Sequence, residues 1–390
     1  MTTEPIRNAY DVIIVGARVA GAATAMLLAA AGLRVLVFDK SRYGADTLST
    51  QALMRPAVLL LERWGLLDAL EEAGTPAVRK TTFCYSDGDD REVIEIDIKP
   101  RHGVDALYAP RRTVLDPILV DAARDAGADV RHGVRLVDVL GGGDDRVSGV
   151  VVQSQDGSRH EVRANLVIGA DGRSSMVARH VGAAPYVTGR YSSATAYGYF
   201  RNLPVDGNRW YFRPGTGAGA LPTNDGQTLV FASINHEAAG ASPGELRKTF
   251  ASAVSQSAPD IGSALENAQL AGKLWSFPGM PGFLRQSWGN GWALVGDSGY
   301  MSDPITAHGI TNALRDAALL SRTIIEGNDL ANYQVARDDL SQTFFEVSDR
   351  VSSFDWDIPT VQQYHRIMSE EMGREEEALL QLEDDSHLAA

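Results

Sequence analysis

The chain has 390 residues, a length that suits two connected lobes better than one small core. Its formal net charge of −14 argues against nucleic acid or an anionic membrane as a partner. The single cysteine, Cys84, cannot form an internal disulfide, and this favours a reducing, cytoplasmic location.

The sequence also argues against a membrane span, a signal peptide and a metal site. The longest apolar run, residues 22–33, is far shorter than the ~18 residues that a membrane span needs, so no span is predicted. The N-terminal stretch is polar and has no signal-peptide pattern. The histidines and the cysteine show no metal-ligand spacing, so we predict no metal site.

The N-terminal part predicts a βαβ unit followed by short helices. A strand leads through a glycine-containing turn into an Ala/Leu-rich helix, and a second buried strand ends at Asp39. Two short helices broken at Trp64–Gly65 follow. The predicted ranges are 11–15 for the first strand, 21–31 for its helix and 56–74 for the helix pair.

The middle of the chain predicts antiparallel strands around one helix. Asp116 and Pro117 are read as the N-cap and first residue of that helix, which ends at Gly127. An aromatic-rich stretch with turns at VDG, PGTG and NDG predicts a largely antiparallel sheet. The predicted strands cover 83–98, 134–140, 147–154, 162–164, 165–169 and the sheet region 185–235, and residues 244–270 are predicted to be helical.

The C-terminal part predicts one strand, a Gly/Pro loop and two long helices. The strand covers 292–295, and the helices cover 310–325 and 330–354. The acidic tail after Met368 is predicted to be helical or partly disordered.

Segments of βαβ character bracket the antiparallel segments, which indicates an α/β nucleotide-binding lobe interrupted by an α+β substrate lobe. The predicted boundaries are 1–75, 101–184 and 285–350 for the nucleotide-binding lobe, 76–100 and 185–284 for the substrate lobe, and 351–390 for a C-terminal helical and acidic tail.

The first motif, DVIIVGARVAG, places two glycines at the outer positions of a dinucleotide fingerprint, between a strand and a helix. The free N–H groups of the helix N-terminus then face a pyrophosphate. Asp39, 18 residues after Gly21, predicts a ribose contact, with Lys40 beside it. Arg18 replaces the middle glycine, and its side chain either contacts the pyrophosphate or points away. The predicted binding turn comprises Gly16, Ala17, Arg18, Val19, Ala20 and Gly21.

Two further motifs each follow a short hydrophobic strand. NLVIGADGRSS contains Asp171 and Gly172. WALVGDSGYMSDPITAHGITNALRDA contains Gly296, Asp297, Pro304, Gly309 and Ile310. With the three motifs in this order, residues 10–354 resemble the para-hydroxybenzoate hydroxylase family, the single-component (group A) FAD-dependent monooxygenases.

The resemblance implies a Rossmann-like FAD-binding domain, with NADPH or NADH as the reductant. It places Asp297 on a ribityl hydroxyl, and Asp171 and Gly172 near the pyrophosphate and the path of the nicotinamide cofactor. The helix that begins after Pro304 then directs its positive end at the reduced flavin. Further implied contacts are Arg112, in an Arg-x-x-Leu pattern with Leu115 and with Arg111 as the fallback, and the backbone of Val134 at adenine.

The substrate lobe supplies candidate pocket residues from its aromatic strands. Only one face of each strand can meet the pocket, so part of this set is expected to be core. His308 is read either as a contact of flavin or substrate or as a polar loop residue. No catalytic side chain is predicted, because the cofactor carries the chemistry. The candidate pocket residues are Tyr197, Tyr211, Arg213, Pro222 and His308, within a wider set that includes Tyr199, Trp210, Phe212 and Leu221.

The leading hypothesis is a monooxygenase that uses O2 and a flavin C4a-hydroperoxide to hydroxylate or epoxidise a small aromatic or polyketide-like substrate, in secondary metabolism. The alternative is a reductase or dehydrogenase of the geranylgeranyl-reductase type. A flavin-dependent halogenase is third, because FDWDIP at 354–359 only partly matches WxWxIP and follows the third motif. A flavin-binding protein without turnover is supported only by Arg18.

Overall fold

The computed structural model describes residues 6–143, 145–238 and 243–382, and it is a mixed α/β structure with two large sheets. The predicted fold class is confirmed. The strands are β1 Ala9–Val15, β2 Val35–Asp39, β3 Lys80–Asp87, β4 Asp90–Asp97, β5 Asp129–His132, β6 Arg135–Gly142, β7 Asp145–Gln153, β8 Arg159–Gly169, β9 Pro185–Thr188, β10 Ser193–Arg201, β11 Asn208–Arg213, β12 Thr216–Thr223, β13 Gln227–Asn235, β14 Gln269–Leu270, β15 Trp275–Phe277, β16 Phe283–Arg285, β17 Trp288–Gly289, β18 Trp292–Leu294 and β19 Tyr300–Met301. The helices are α1 Val19–Ala30, α2 Arg55–Arg63, α3 Leu67–Glu72, α4 Arg112–Asp125, α5 Met176–His180, α6 Pro243–Ser257, α7 Pro259–Leu265, α8 Gly309–Ile325, α9 Leu330–Asp339, α10 Gln342–Val351 and α11 Ile358–Gln381.

The first sheet has the order β17-β18-β8-β1-β2-β5, and β7 joins it by pairing with β8. The pairs β1–β2, β1–β8, β2–β5 and β8–β18 are parallel. Val15 is in register with Gly169, and Gly169 with Leu294, so three strands end side by side. The turns after these strands therefore meet at one edge of the sheet, where ligands of open parallel sheets bind.

The second sheet has the order β14-β10-β13-β12-β11-β3-β4 and is antiparallel except for the pair β3–β11. One face packs with residues of α10 and α11, such as Phe344 and Met368. The other face packs against α6 and α7, through Phe250 and Ile261. A third, smaller sheet has three strands in the order β19-β16-β9.

The helix predicted to begin at Asp116–Pro117 begins earlier, at Arg112, so that prediction was wrong. Pro117 lies inside α4. The Asp-Pro pair is typical of a helix start, but the Asp116 carboxylate forms a buried ion pair with Arg112 one turn before it, at 2.8 Å. This i,i+4 pair stabilises the helical turn that precedes Pro117.

The other predicted boundaries differ less from those of the structure. Residues 162–164 and 165–169 belong to one strand, β8, and the predicted helix over 330–354 divides into α9 and α10 at Leu340–Ser341. The region 244–270 contains α6, α7 and the short strand β14.

The predicted acidic tail is helical over the residues that are described, as the C-terminal part of α11, and residues 383–390 lie outside the described ranges. Val361 and Met368 of α11 are buried in the core against the second sheet. Leu379, near its end, is buried in the core against the first sheet. The helix therefore packs on both lobes. Within the described ranges, no helix combines the length and the apolar character required to cross a membrane.

Candidate cofactor and active site

A cavity of about 860 Å³ lies where the turns of the first sheet meet the second sheet. The three predicted turns each contribute to its wall, through Gly16, Asp171 and Asp297. Thr195 and Tyr197 of β10 line it from the other lobe. Its volume is at the upper end of the range for ligand pockets, which suits an extended ligand.

The turn after β1 needs glycine at two positions. Gly16 has φ +104°, and a Cβ atom there would lie 2.4 Å from the carbonyl oxygen of Ala170. A Cβ atom at Gly21 would lie 1.8 Å from the carbonyl oxygen of Gly16. The first N–H groups of α1 have no partner inside the helix, so this close approach presents them to a ligand.

Four of the six predicted residues of this turn line the cavity, namely Gly16, Arg18, Val19 and Ala20. The other two, Ala17 and Gly21, lie behind the wall and support it. The N–H of Ala17 donates to Asp39 Oδ2 at 3.1 Å, and Gly21 packs on Gly16. The Arg18 carbonyl accepts from the N–H of Ala22 at 2.8 Å, but its side chain makes no hydrogen bond with another described residue. The position of Arg18 in the wall favours contact with an anion.

The acidic residue at the end of β2 is held rigidly. Besides Ala17, the N–H of Ser41 donates to Asp39 Oδ1, at 2.7 Å. Asp39 and Lys40 both line the cavity, and so does Val134. This end of the cavity has the groups predicted for the adenosine part of a dinucleotide.

The second and third motifs are joined directly by Ser298. The N–H of Gly172 donates to the Ser298 hydroxyl at 2.9 Å, and that hydroxyl donates to Asp171 Oδ1 at 3.3 Å. Asp171 also accepts hydrogen bonds from the Ser175 hydroxyl at 2.5 Å and the N–H of Met176 at 2.6 Å. Asp171 therefore shapes its turn and anchors the start of α5.

Asp297 differs from Asp171 in its hydrogen bonding. Its carboxylate lines the cavity and forms no hydrogen bond with any described residue. Burial raises the pKa of Asp297 to about 6, against the lowering effect of Arg173 and Arg112. A carboxylate without a protein partner in a ligand cavity is suited to accept a ligand hydroxyl. Gly296 lies behind it, where a Cβ atom would be 2.9 Å from Ala20 Cβ.

The cavity wall distinguishes the two candidate arginines. Arg112 lines the cavity, and its Nε and Nη2 donate to Asp116 at 2.8 and 3.0 Å. Arg111 is outside the wall. It pairs with Asp46 at 3.1 Å and stacks 3.6 Å from the Tyr199 ring centroid.

The other predicted residues of the third motif are placed at the same wall. Pro304, Gly309 and Ile310 line the cavity. The loop between them is held by Asp303, which the sequence analysis did not identify. Its carboxylate accepts from the N–H of Ser193 at 2.7 Å, the Ser193 hydroxyl at 2.6 Å and the N–H of Ile305 at 2.9 Å. Burial raises the pKa of Asp303 to about 6. This loop is thus fastened to β10 of the other lobe.

Of the predicted pocket residues, only Tyr197 lines the cavity. Tyr211 and Arg213 lie on the opposite face of the second sheet, where they bond to Asp260 at 2.9 Å and to the carbonyl of Gln256 at 3.2 Å. Pro222 and His308 are also outside the wall: Pro222 shares the strand face of Ala218 and Ala220, and His308 is buried against Glu375. For the strand residues Tyr211, Arg213 and Pro222 the reason is alternation, since neighbouring side chains of a strand point to opposite faces.

A loop that the sequence analysis missed forms much of the remaining wall. Residues 47–52 line the cavity between β2 and α2. The N–H of Ser49 donates to the Tyr197 hydroxyl at 2.9 Å, and Gln51 accepts from the Tyr199 hydroxyl at 2.7 Å. The segment DTLSTQAL has no helix or strand period, so no pattern indicated its role. Other unpredicted wall residues include Arg173, Phe277, Met301, Ser302 and Ala307.

The comparison with known families agrees with this geometry. Residues 9–329 match the model of a family described as FAD binding domain. The chain belongs to this FAD-binding family. The cavity fits FAD on two independent features, the glycine cradle at Gly16 and Gly21 and the unpartnered carboxylate of Asp297. The protein is an FAD-dependent oxidoreductase.

Relatives within the family differ in activity. Digeranylgeranylglycerophospholipid reductase 1 of Methanococcoides burtonii is 27% identical over 353 residues, which cover 87% of this chain and 79% of the reductase. The 1H-pyrrole-2-carbonyl-[peptidyl-carrier protein] chlorinase of Pseudomonas fluorescens is 24% identical over 348 residues, covering 81% and 76%.

Solved structures share the fold at low identity. The flavin-dependent brominase Bmp2, as a triple mutant, superposes with a TM-score of 0.77 at 19% identity and covers 97% of this chain and 95% of its own. PqsL of Pseudomonas aeruginosa, a probable FAD-dependent monooxygenase, has a TM-score of 0.72 at 21% identity and covers 93% and 100%. At these identities the likeness concerns the fold alone.

Proposed function

We propose that this protein is an FAD-dependent monooxygenase of the group A type that acts on a compact organic substrate, with O2 and a nicotinamide reductant. The observation that carries this proposal is the apolar patch in the cavity wall beside β10. Leu48, Phe277 and Met301 pack together there, with Tyr197 and Ala52 beside them. Bound FAD supplies the electrons and the activation of oxygen, and the protein supplies binding, orientation and shelter.

The rest of the same sheet face supports a compact substrate. Tyr199, Trp210, Phe212 and Phe231 are buried in one packed cluster with side chains of the C-terminal helices, and none of them lines the cavity. A polyisoprenoid chain would need a long apolar channel along such a face. The solid packing favours an aromatic or polyketide-like ring over a geranylgeranyl lipid.

The string that partly matches a halogenase motif has a structural role. Phe354 and Trp356 are buried in the same cluster, and the Trp356 indole N–H donates to the carbonyl of Val351 at 2.9 Å. Residues 354–359 do not line the cavity. This placement supports oxygenation over halogenation.

The protein groups around the flavin would act by position. Asp297 and Arg112, whose side chains have opposite charges, would both contact the cofactor. The N–H groups at the start of α8 would face the flavin. The apolar wall of Leu48, Phe277 and Met301 would exclude water from the reaction site. Exclusion of water would limit the release of activated oxygen as hydrogen peroxide.

The mouth of the cavity supports a phosphate-bearing reductant. Exposed cations line it although the whole chain is acidic. Such a local reversal of charge raises the encounter rate with an anionic ligand. NADPH carries one more phosphate than NADH, so we propose NADPH as the preferred donor. The cations are Lys40, Arg135, Arg159, Arg173 and Arg179.

The test is turnover of the FAD-loaded protein with NADPH and a panel of phenols and polyketide rings. Substrate-stimulated NADPH oxidation with oxygen uptake, and product that carries 18O from 18O2, is the expected result. Oxygen-independent saturation of a C=C bond would instead identify a reductase. Halide-dependent product would identify a halogenase.

A further inference from the structure

A cluster of four ionisable side chains lies buried behind the start of α8, and the proposed chemistry does not use it. His308 is the N-cap residue of α8, Arg315 and Asp316 lie two turns further along, and Glu375 comes from α11. Their exposed fractions are 2%, 1%, 0% and 2%. Four ionisable groups at this depth must compensate one another, because an isolated buried charge is very costly.

Glu375 bridges the two basic side chains. His308 Nε2 lies 2.7 Å from Glu375 Oε2, and Arg315 Nη1 donates to Glu375 Oε1 at 3.2 Å. Arg315 Nη2 also donates to Asp316 Oδ1 at 2.8 Å. The C-terminal helix thus places a carboxylate directly against the residue that caps the flavin-facing helix.

The two basic side chains keep Glu375 in its charged form. Burial alone would raise the pKa of Glu375, but the nearby His308 and Arg315 lower it below its usual range. The carboxylate is therefore charged, and its Oε2 lies 2.7 Å from Nε2 of the imidazole.

Aromatic rings and a further ion pair pack around the cluster. The Tyr300 ring lies 5.6 Å from the Arg315 guanidinium, and the Phe344 ring 4.5 Å from the imidazole. Burial raises the pKa values of Tyr300 and Tyr333 well above 10, so both phenols are neutral. Arg337, which also faces Asp316, is paired with Asp338 at 2.7 Å.

The cluster is one residue away from the cavity. His308 lies between Ala307 and Gly309, which both line the wall, and the next residue, Ile310, lines it too. The N–H groups at the start of α8 already form a positive end there. A cation in the capping residue adds to that potential in a water-poor site, where charges interact strongly.

We propose that His308, held as a cation by Glu375, is a positioning residue that raises the reduction potential of bound FAD. Hydride transfer to FAD adds one negative charge to the flavin, and the cation behind the helix N-terminus favours that product. This inference rests on the proposed function for the flavin's place beside α8, but it holds for any substrate.

The experiment measures the midpoint potential of bound FAD in His308→Gln and Glu375→Gln. We expect the preference for reduced over oxidised FAD to fall three- to tenfold in both variants, and a tenfold change lowers a two-electron potential by about 30 mV. Glu376→Gln is the matched control, because Glu376 is equally buried on the same helix but lies near Arg101, at 3.7 Å. His308→Lys, which keeps the charge, is expected to restore the potential.

Wild-type potentials in both His308→Gln and Glu375→Gln would overturn the inference, and so would an equal shift in Glu376→Gln. If the variants do not fold or retain FAD, 15N NMR of histidine-labelled wild-type holoprotein decides: a neutral His308 ring overturns the inference, and a doubly protonated ring supports it. A shifted potential without oxygen insertion would contradict only the proposed function.

Discussion

Asp297 combines a cost in stability with a position that suits ligand binding. Its carboxylate faces the cavity without a hydrogen bond to any described residue, and burial raises its pKa from the usual 3.8 to about 6. Because the folded pKa lies above the unfolded one, ionisation opposes folding, and stability is lost as the pH rises through about 6. A ligand hydroxyl that donates to this carboxylate would recover part of that free energy.

Asp297→Asn is therefore expected to have opposite effects on the FAD-free and FAD-bound protein. The FAD-free variant should gain about 1–2 kcal/mol of stability at pH 8, a value discounted for cavity water, and little at pH 4. Its affinity for FAD should fall roughly tenfold or more, as expected for a lost hydrogen bond to a charged group. Thermal unfolding at the two pH values and FAD fluorescence titration measure both effects.

Asp89→Asn is the control for this prediction, because Asp89 is exposed in the turn between β3 and β4. An Asp297→Asn variant that binds FAD as the wild type does would show that this carboxylate does not hold the cofactor.

At the scale of elements, the loop of residues 47–52 depends on the second sheet for its shape. The Tyr197 hydroxyl accepts the N–H of Ser49, and both residues line the cavity. A loop without helix or strand period adopts one conformation only where such bonds hold it. This side of the cavity therefore depends on contacts with the second sheet.

Tyr197→Phe should loosen this loop and raise the KM for the substrate several-fold, since one hydrogen bond is worth about 1 kcal/mol. FAD content should stay unchanged. Steady-state kinetics and the absorbance of bound flavin test this. Tyr211→Phe is the matched control, because it loses a comparable bond on the opposite face, to Asp260. Equal KM values in the two variants would contradict the assignment of the cavity face.

The C-terminal helix is expected to support both lobes. Leu379 of α11 is fully buried in the core of the first lobe, although it lies far from it in sequence. Leu379→Ala should lower the free energy of unfolding by about 2–4 kcal/mol through the cavity it leaves. Glu377→Ala, at an exposed site of the same helix, should change it by less than about 0.5 kcal/mol. Urea denaturation compares them, and equal values would show that α11 is not part of the core.

At the scale of the whole molecule, the charge distribution predicts the choice of reductant. The chain is acidic, but the mouth of its cavity is lined by cations that include Arg159. Arg159→Gln should raise the KM for NADPH about three- to tenfold and leave that for NADH nearly unchanged, because only NADPH presents the additional phosphate. Initial rates with both donors give the ratio.

Arg163→Gln is the matched control, since Arg163 is exposed on the same strand but interacts with Ser148 and Glu161 away from the cavity. A parallel rise of both KM values in Arg159→Gln would indicate a general electrostatic effect rather than recognition of a phosphate.

Much of the fold follows from the sequence alone, because its signals are local. Gly16, the apolar run of α1 and the acidic end of β2 at Asp39 lie within one βαβ unit, and their spacing predicts a dinucleotide turn. The motifs around Asp171 and Asp297 are also short and follow buried strands. Their spatial meeting could be expected, because parallel strands end at a common edge.

Only the tertiary structure decided which side chains face the cavity. Tyr197 and Tyr211 look equivalent in the sequence, but strand register turns one toward the cavity and the other toward α7. The partnership of His308 and Glu375, 67 residues apart, depends on how α11 returns across both lobes. Long-range packing determines which side chains face the cavity and which distant residues pair. A local sequence pattern does not contain this information.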